Sequence, residues 1–163
     1  MADSVKPLLE VKGLKKYFPI HQGFLRRVVG HVKAVDDVSF DVAAGETLGV
    51  VGESGCGKTT LGRCILRLYN PTAGKVFLHL DDQTIDVTAM EGEDQRTFRR
   101  RAQMIFQDPF SSLNPRMNIL ETVGEPLLVN NVAHGRELEE RVKEVVAQVG
   151  LRVEHLRRFP HSF

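Results

Sequence analysis

Residues 52–60 read Gly-Glu-Ser-Gly-Cys-Gly-Lys-Thr-Thr, and this stretch decides the fold. It matches the pattern Gly-x-x-x-x-Gly-Lys-Ser/Thr. Residues 47–51 before it are almost wholly apolar, which predicts a strand covered on both faces, as in a parallel sheet. Apolar residues after it recur at the spacing of an amphipathic helix, namely Leu61, Cys64, Ile65 and Leu68. The pattern therefore predicts a strand, a glycine-rich turn and a helix in succession.

A loop of this composition predicts a phosphate-binding site for a nucleotide. Its glycines allow backbone conformations that side chains disfavour, and they let N–H groups reach phosphate oxygens. The positive end of the following helix attracts the same anion. Lys58 places a charge at the β- and γ-phosphates, and the Thr59 hydroxyl has the reach to bind Mg²⁺. The predicted nucleotide-binding residues of the loop are Gly52, Ser54, Gly55, Cys56, Gly57, Lys58, Thr59 and Thr60.

Composition narrows the class of protein. The chain has 163 residues, with 22 Lys and Arg against 21 Asp and Glu, which argues against disorder and against nucleic acid or anionic membrane as the main partner. Cys56 and Cys64 are too few for a disulfide framework, and no Cys/His spacing predicts zinc. We expect neither a signal peptide nor a membrane span, because no apolar run is long enough.

The other segments predict a mixture of strands and helices. Residues 38–42 alternate as in a half-buried strand, whereas residues 19–31 have the Gly, Pro and basic residues of a loop. Residues 75–80 and 104–106 are further strand candidates, the second of them buried. Asp81 follows four largely apolar residues, as in a Mg²⁺-positioning strand, but we interpret it as part of a solvated turn.

Two helices are predicted in the second half of the chain. Residues 91–101 begin acidic and end basic, which suits the helix dipole at both ends, and we interpret them as a solvated helix rather than a nucleic-acid site. Apolar residues recur at helical spacing at Leu138, Val142, Val145, Val146 and Val149. Glu137 and Arg141 are spaced to pair on this helix, and Gly150 is its predicted C-cap.

Four further stretches carry a family resemblance. They are AVDDVSF at 34–40, GETLGVVGESGCGKTT at 45–60, QMIFQDPFSSLNPRM at 103–117 and RFPHSF at 158–163. With these stretches, residues 8–163 resemble ATP-binding cassette ATPase subunits of oligopeptide, dipeptide and nickel importers. The resemblance implies an α/β P-loop NTPase fold with an N-terminal antiparallel β subdomain and the start of a helical subdomain. It implies a nucleotide-binding core over residues 1–107 and a Q-loop region with the first helices over residues 108–163.

The resemblance also implies roles for single residues. Gln107 resembles the Q-loop glutamine, which reaches Mg²⁺ and the attacking water, so it joins Lys58 as a catalytic candidate and Thr59 as a metal ligand. Phe18 resembles the aromatic residue that stacks on adenine, and the adjacent Tyr17 is the alternative. Residues 108–124 match the region that couples the ATPase to transmembrane subunits. Within it, Phe110 and Leu113 are candidates either for docking or for core packing.

The implied function is ATP hydrolysis, with ATP and Mg²⁺, that powers import of small peptides, nickel or related solutes. The implied partners are transmembrane permease subunits and a second ATPase subunit, identical or homologous. The protein would be peripheral on the cytoplasmic face of the membrane, depend indirectly on a substrate-binding protein, and contact neither the substrate nor nucleic acid. A soluble cassette protein acting on nucleic acid or ribosomes is the alternative, although FQDPFSSLNPRM favours the transporter class.

The resemblance covers about the first half of such a subunit. In these ATPases RFPHSF leads into Ser-Gly-Gly-Gln, and this sequence stops at Phe163, before that signature motif. The implied catalytic Glu, the Asp that positions Mg²⁺ and the switch His also lie beyond it. We therefore expect residues 1–163 to bind nucleotide but to hydrolyse it poorly. A non-catalytic nucleotide-binding module remains a further alternative.

Overall fold

The structure of the protein, a computed structural model, describes residues 6–24, 26–108 and 112–163. The chain forms two compact units, Met1–Met104 and Ile105–Phe163. From the sequence alone, the division is expected after Gln107. Each unit has an apolar core of its own.

The first unit is built on a four-stranded sheet. Its strands are β1 (Leu9–Gln22), β2 (Arg27–Val42), β3 (Ala73–His79) and β4 (Thr84–Asp86). The order is β2-β1-β3-β4, and every neighbouring pair is antiparallel. Along β2 the half-buried strand predicted at residues 38–42 is confirmed, and Asp81 lies in the exposed turn between β3 and β4. The sheet is the antiparallel β subdomain expected from the sequence.

The prediction of a loop over residues 19–31 is wrong, because most of these residues belong to paired strands. Pro19 lies opposite His31 and Ile20 lies opposite Gly30, which leaves only a short turn at the end of the hairpin. The pairing of β3 with β1 goes no further than Lys15. The end of the hairpin is therefore a two-stranded ribbon without a covered face, and no apolar alternation marks it in the sequence.

Two helices share a core with this sheet. Helix α1 (Lys58–Ile65) buries Leu61 and Cys64, and helix α2 (Gly92–Arg101) buries Phe98. Helix α1 is shorter than its periodicity predicts, since it ends before Leu68, which is exposed. Arg67 has a φ of 51°, a left-handed conformation that breaks the helix. Helix α2 agrees with its prediction.

The second unit is helical. It contains helix α3 (Ile119–Val129), helix α4 (Gly135–Gln148) and the 3₁₀ helices Val153–Arg157 and Pro160–Ser162. Asn118 caps α3 by accepting a hydrogen bond from the backbone N–H of Glu121, whose side chain accepts from Asn118 in return. The core residues of the second unit are Ala133, Leu138, Val142, Val146 and Leu156. Val145 and Val149, which share the helical spacing, are exposed.

Two predicted features of α4 are confirmed at its surface and end. Glu137 and Arg141 form an ion pair of 2.7 Å. Gly150 has a φ of 75° and donates its N–H to the carbonyl of Ala147. This left-handed residue after the helix is a glycine C-cap.

Two buried strands are predicted from the sequence, one directly before the phosphate loop and one after helix α2, and neither is formed. Residues 47–51 and 104–106 have no strand structure, and Val51 and Ile105 are 92% and 99% exposed. A strand needs a hydrogen-bonded neighbour, and no described segment of the chain pairs with either one. Across residues 6–24, 26–108 and 112–163, no helix has the length and apolarity to cross a membrane.

Candidate functional site

The phosphate loop lies between the exposed residues 47–51 and helix α1. The predicted loop residues Gly52, Ser54, Gly55 and Cys56 are exposed. Gly57 is the N-cap of α1, and the predicted residues Lys58, Thr59 and Thr60 form its first turn. The structure thus gathers the predicted loop residues at one helix N-terminus, where unpaired N–H groups point outward.

Two glycines keep this loop closely folded. Gly57 has a φ of 103°, and a Cβ atom built on it would lie 2.0 Å from the carbonyl oxygen of Ala34 in β2. A Cβ atom on Gly52 would lie 2.7 Å from Sγ of Cys56. Any larger residue at position 57 would therefore push the loop away from β2.

The Lys58 side chain turns back over the loop. Its Nζ donates hydrogen bonds to the carbonyl oxygens of Gly52 at 2.8 Å and Glu53 at 2.7 Å, and it lies 3.5 Å from Sγ of Cys56. The first turn of α1 contains no acidic residue. Among the described residues, the ammonium has carbonyl partners and no carboxylate partner. Its positive charge and the helix dipole are therefore available to an anion.

The donor set fits a magnesium–phosphate complex better than a free metal ion. Thr59 is exposed in the first turn of α1 and offers one hydroxyl oxygen. Within the described ranges, no three His, Cys, Asp or Glu residues are grouped to hold a metal. A cation at this loop would therefore depend on phosphate oxygens for most of its ligands, as Mg²⁺ does in nucleotide sites.

A cleft of about 230 Å³ opens between the loop, β2 and α1. Its lining is formed by Ala34, Val35, Val38, Val50, Val51, Cys56, Gly57, Lys58 and Leu61. Lys58 is the charged member of this lining, and no carboxylate belongs to it. The cleft can hold an anion near Lys58, but its described lining supplies no carboxylate as a general base for water.

The two aromatic candidates have different surroundings. Tyr17 donates its hydroxyl to Oδ1 of Asp36, and the Lys33 ammonium lies 5.3 Å from its ring centroid. The hydrogen bond to Asp36 raises the pKa of Tyr17 above its ordinary value, and burial adds to this. Successive residues of a strand point to opposite faces, so Phe18 lies on the other side of β1.

Phe18 is connected to helix α1 through Tyr69. The two rings meet edge to face with centroids 5.7 Å apart, and Arg63 of α1 donates to the Tyr69 hydroxyl at 2.9 Å. The Lys16 ammonium lies 4.9 Å from the Phe18 centroid and donates to the carbonyl of Asn70. The ring of Phe18 is therefore held in a defined position by neighbours on both β1 and the segment after α1.

Sequence reasoning did not identify Ala34, Lys16 or Tyr69 as parts of this site. Ala34 acts through its backbone carbonyl, which no side-chain pattern reveals. Lys16 is visible only as one of several lysines in β1. Tyr69 is far from Phe18 in sequence, and only the packing of the segment after α1 against β1 brings the two rings together.

Gln107 lies in the second unit. It is exposed and lines a cavity of about 430 Å³ together with Phe106, Asp108 and Ser112. Ser112 donates its hydroxyl to the carbonyl of Asp108 at 2.7 Å. Leu113 is 36% exposed. Phe110, the other docking candidate, lies outside the described residues.

The comparisons with known proteins agree on one family. A family model described as ABC transporter matches residues 35–162. The oligopeptide transport ATP-binding protein AppF of Bacillus subtilis is 46% identical over 99% of this chain and 48% of its own length. The dipeptide transport ATP-binding protein DppF of Haemophilus influenzae is 40% identical over 100% of this chain and 49% of its own.

A solved structure supports the fold. An ATP-binding cassette in a dimeric post-hydrolysis state, bound to ADP and Pi, matches with a TM-score of 0.70 at 24% identity, over 95% of this chain and 62% of that one. The fold is accordingly that of the N-terminal portion of a P-loop ABC ATPase. The chain spans about half the length of these two curated relatives. Because the family model and the relatives together cover nearly all of its residues, this chain belongs to the ABC transporter family.

Proposed function

We propose that the chain binds ATP with Mg²⁺ at the phosphate loop and serves as the ATP-binding part of a peptide importer. The observation that carries this proposal is the position of Lys58. Its ammonium lies over the loop at the N-terminus of α1 and donates hydrogen bonds to the carbonyls of Gly52 and Glu53. Among the described residues, no carboxylate pairs with it. A triphosphate would replace those carbonyls as a stronger, charged partner.

The chain's own residues divide the work of binding. The loop N–H groups and the dipole of α1 hold the phosphates, and Lys58 neutralises charge on the β- and γ-phosphates. Thr59 provides a hydroxyl for Mg²⁺, which supplies Lewis-acid stabilisation of the phosphate oxygens when bound. Gln107, which resembles the Q-loop glutamine, is the second proposed ligand for Mg²⁺.

Phe18 is the proposed platform for adenine. Its ring is fixed by Tyr69 and Lys16, and Tyr69 is tied in turn to α1, the helix that begins at the phosphate loop. Tyr17 is less suited, because its hydroxyl is bound to Asp36 and the Lys33 ammonium lies near its ring. Stacking on Phe18 would add affinity for the base on top of that for the phosphates.

The proposed cellular role is to power solute import through permease subunits. The relatives named above are oligopeptide and dipeptide transport ATP-binding proteins, which supports small peptides over nickel as the transported class. The partners would be transmembrane permease subunits at the cytoplasmic face and a second ATPase subunit. Residues 108–124 would contact the permease, and a substrate-binding protein would act upstream without touching this chain.

We further propose that residues 1–163 hydrolyse ATP slowly. No carboxylate lines the cleft beside Lys58, so the described lining of that cleft supplies no carboxylate to take a proton from water. Phosphate release by the purified chain should therefore remain far below the typical enzymatic range of about 1 to 1,000 per second. Turnover within that range would contradict the proposal for the isolated chain.

The decisive test of the binding site is Lys58→Ala in the full chain. Calorimetric titration with MgATP should show at least about a tenfold loss of affinity, because a charge-assisted contact is worth about 1.5–3 kcal/mol. Lys12→Ala is the matched control, since Lys12 is an exposed lysine of β1 paired with Glu10 at 2.6 Å. Equal ATP affinity of Lys58→Ala and the wild-type chain would reject the site.

A further inference from the structure

The tip of the β1–β2 hairpin exposes an unusual set of side chains. Phe24 is fully exposed, at 102% of its reference area, and four aliphatic residues of the same ribbon are about half exposed. They are Ile20, Val28, Val29 and Val32. The ribbon extends beyond β3, so nothing in the first unit's described residues covers it. Such exposed apolar residues at a turn are costly in water unless a partner covers them.

The charge of this segment is one-sided, although the whole chain is nearly neutral. Residues 11–35 contain six Lys and Arg and no Asp or Glu. Lys12, Lys15 and Lys33 are paired with acidic residues that lie outside this segment. Arg26 and Arg27, next to the turn, are exposed, and among the described residues neither has an ion-pair partner. The tip therefore combines an aromatic ring with two available guanidinium groups.

Two hydrogen bonds join described residues on either side of the turn. Arg26 has a φ of 47° and donates its N–H to the carbonyl of Gly23 at 3.0 Å. Nδ1 of His21 donates to the carbonyl oxygen of Arg26 at 2.9 Å. These bonds connect the two strand ends at the tip, where Phe24, Arg26 and Arg27 are near neighbours in the chain.

We propose that this hairpin tip docks on an anionic lipid surface. Phe24 enters the boundary between headgroups and acyl chains, while Arg26 and Arg27 bind lipid phosphates. A lipid surface fits better than a protein groove, because apolar and basic groups here share one protruding tip rather than a concave or flat face. The interaction is separate from nucleotide binding, since no residue of the tip lines the phosphate loop.

The first experiment measures co-sedimentation of the full chain with vesicles of phosphatidylcholine, with and without phosphatidylglycerol. Binding should require phosphatidylglycerol and weaken as salt rises. The double variant Arg26→Gln with Arg27→Gln should bind at least about tenfold more weakly, as should Phe24→Ala. The matched control is Arg99→Gln with Arg101→Gln, which removes two exposed arginines from α2 and should bind as the wild-type chain does.

A second readout follows the tip itself. The chain has no tryptophan, so Phe24→Trp introduces a single indole fluorophore. Its emission should shift to the blue with phosphatidylglycerol vesicles and be quenched by brominated lipid. Phe163→Trp, an exposed position in the second unit, should show neither effect.

Three outcomes would overturn the proposal. One is equal binding to vesicles with and without phosphatidylglycerol, and another is unchanged binding of both tip variants. The third is tighter tip-dependent binding to a single-stranded oligonucleotide than to vesicles, which would make the tip a nucleic-acid site. Lys58→Ala should bind vesicles as the wild-type chain does, so failure of lipid binding and failure of ATP binding are distinguished.

Discussion

The backbone of Gly57 contacts the carbonyl group of Ala34 so closely that a methyl group on Gly57 would lie 2.0 Å from the Ala34 oxygen. This contact joins the N-cap of α1 to strand β2. The phosphate loop thus packs against strand β2 of the antiparallel sheet. Its shape depends on the backbone carbonyl of Ala34 and not on the Ala34 side chain. Substitutions at Gly57 and at Gly55 should therefore have unequal effects.

Gly57→Ala should destabilise the chain by about 3 kcal/mol or more and remove measurable ATP binding, because it combines a left-handed φ with a backbone clash. Gly55→Ala is the matched control: Gly55 has a φ of 81°, but nothing lies within 4 Å of its added Cβ. It should cost only about 1–2 kcal/mol. Thermal unfolding and MgATP titration measure both effects, and equal behaviour of the two variants would refute the Ala34 contact.

Phe18→Ala should reduce the affinity for ATP by about tenfold while leaving the affinity for inorganic triphosphate unchanged. Stacking of a base on an aromatic ring is worth about 1–3 kcal/mol, and the triphosphate has no base. Tyr17→Ala should change neither affinity, since its ring lies on the opposite face of β1 from Phe18. Comparing the affinities for ATP and for inorganic triphosphate separates the contribution of the base from that of the phosphates. A base-specific loss in Tyr17→Ala, without one in Phe18→Ala, would transfer the role to Tyr17.

The sequence predicts the parts of this molecule that local chemistry determines. The helix start after Gly57 and the capping glycine Gly150 each depend on residues close together in the chain, and each forms as expected. The half-buried strand at 38–42 also forms, because β1 pairs with it. The predicted strands at 47–51 and 104–106 are apolar in sequence but exposed in the structure. Strand formation depends on a distant partner, and apolar composition alone does not supply one.

The same distinction applies to the candidate site. Lys58 and Thr59 are proposed from the motif around them, which places them at a helix start, and the structure places them there. The support of Phe18 by Tyr69, in contrast, depends on how the segment after α1 crosses β1. The hairpin tip is not predicted from the sequence for a related reason. Its residues pair across a ribbon with two solvated faces, so the periodicity that normally marks strands is absent.

The hydrogen bond between Tyr17 and Asp36 should be visible in an alkaline titration. The bond raises the pKa of Tyr17, so its phenolate should form above the ordinary pKa of about 10. Because this pKa is raised in the folded state, the bond's contribution to stability is complete below the unfolded-state pKa and is lost as pH rises through the folded one. The near-ultraviolet difference between the wild-type chain and Tyr17→Phe isolates Tyr17 from Tyr69, the other tyrosine.

Asp36→Asn is the informative variant for this titration. It removes the charge that opposes ionisation of Tyr17, so the phenolate of Tyr17 should form at a lower pH than in the wild-type chain. Asp41→Asn, another exposed Asp of β2, is the control and should leave the curve unchanged. Coincident curves for Asp36→Asn and the wild-type chain would show that the two side chains are not bonded in solution.

The two cysteines should react with a thiol reagent at very different rates. Cys56 is exposed in the phosphate loop, whereas Cys64 is 1% exposed in the core of the first unit, and burial raises the pKa of its thiol. In the native chain, Ellman's reagent should therefore modify one thiol quickly and the other only on unfolding. Cys56→Ser should abolish the fast phase and Cys64→Ala should retain it. MgATP should slow the fast phase, since the Lys58 ammonium, the proposed phosphate contact, lies 3.5 Å from Sγ of Cys56. Two thiols reacting at one rate in the folded chain would contradict the buried position of Cys64.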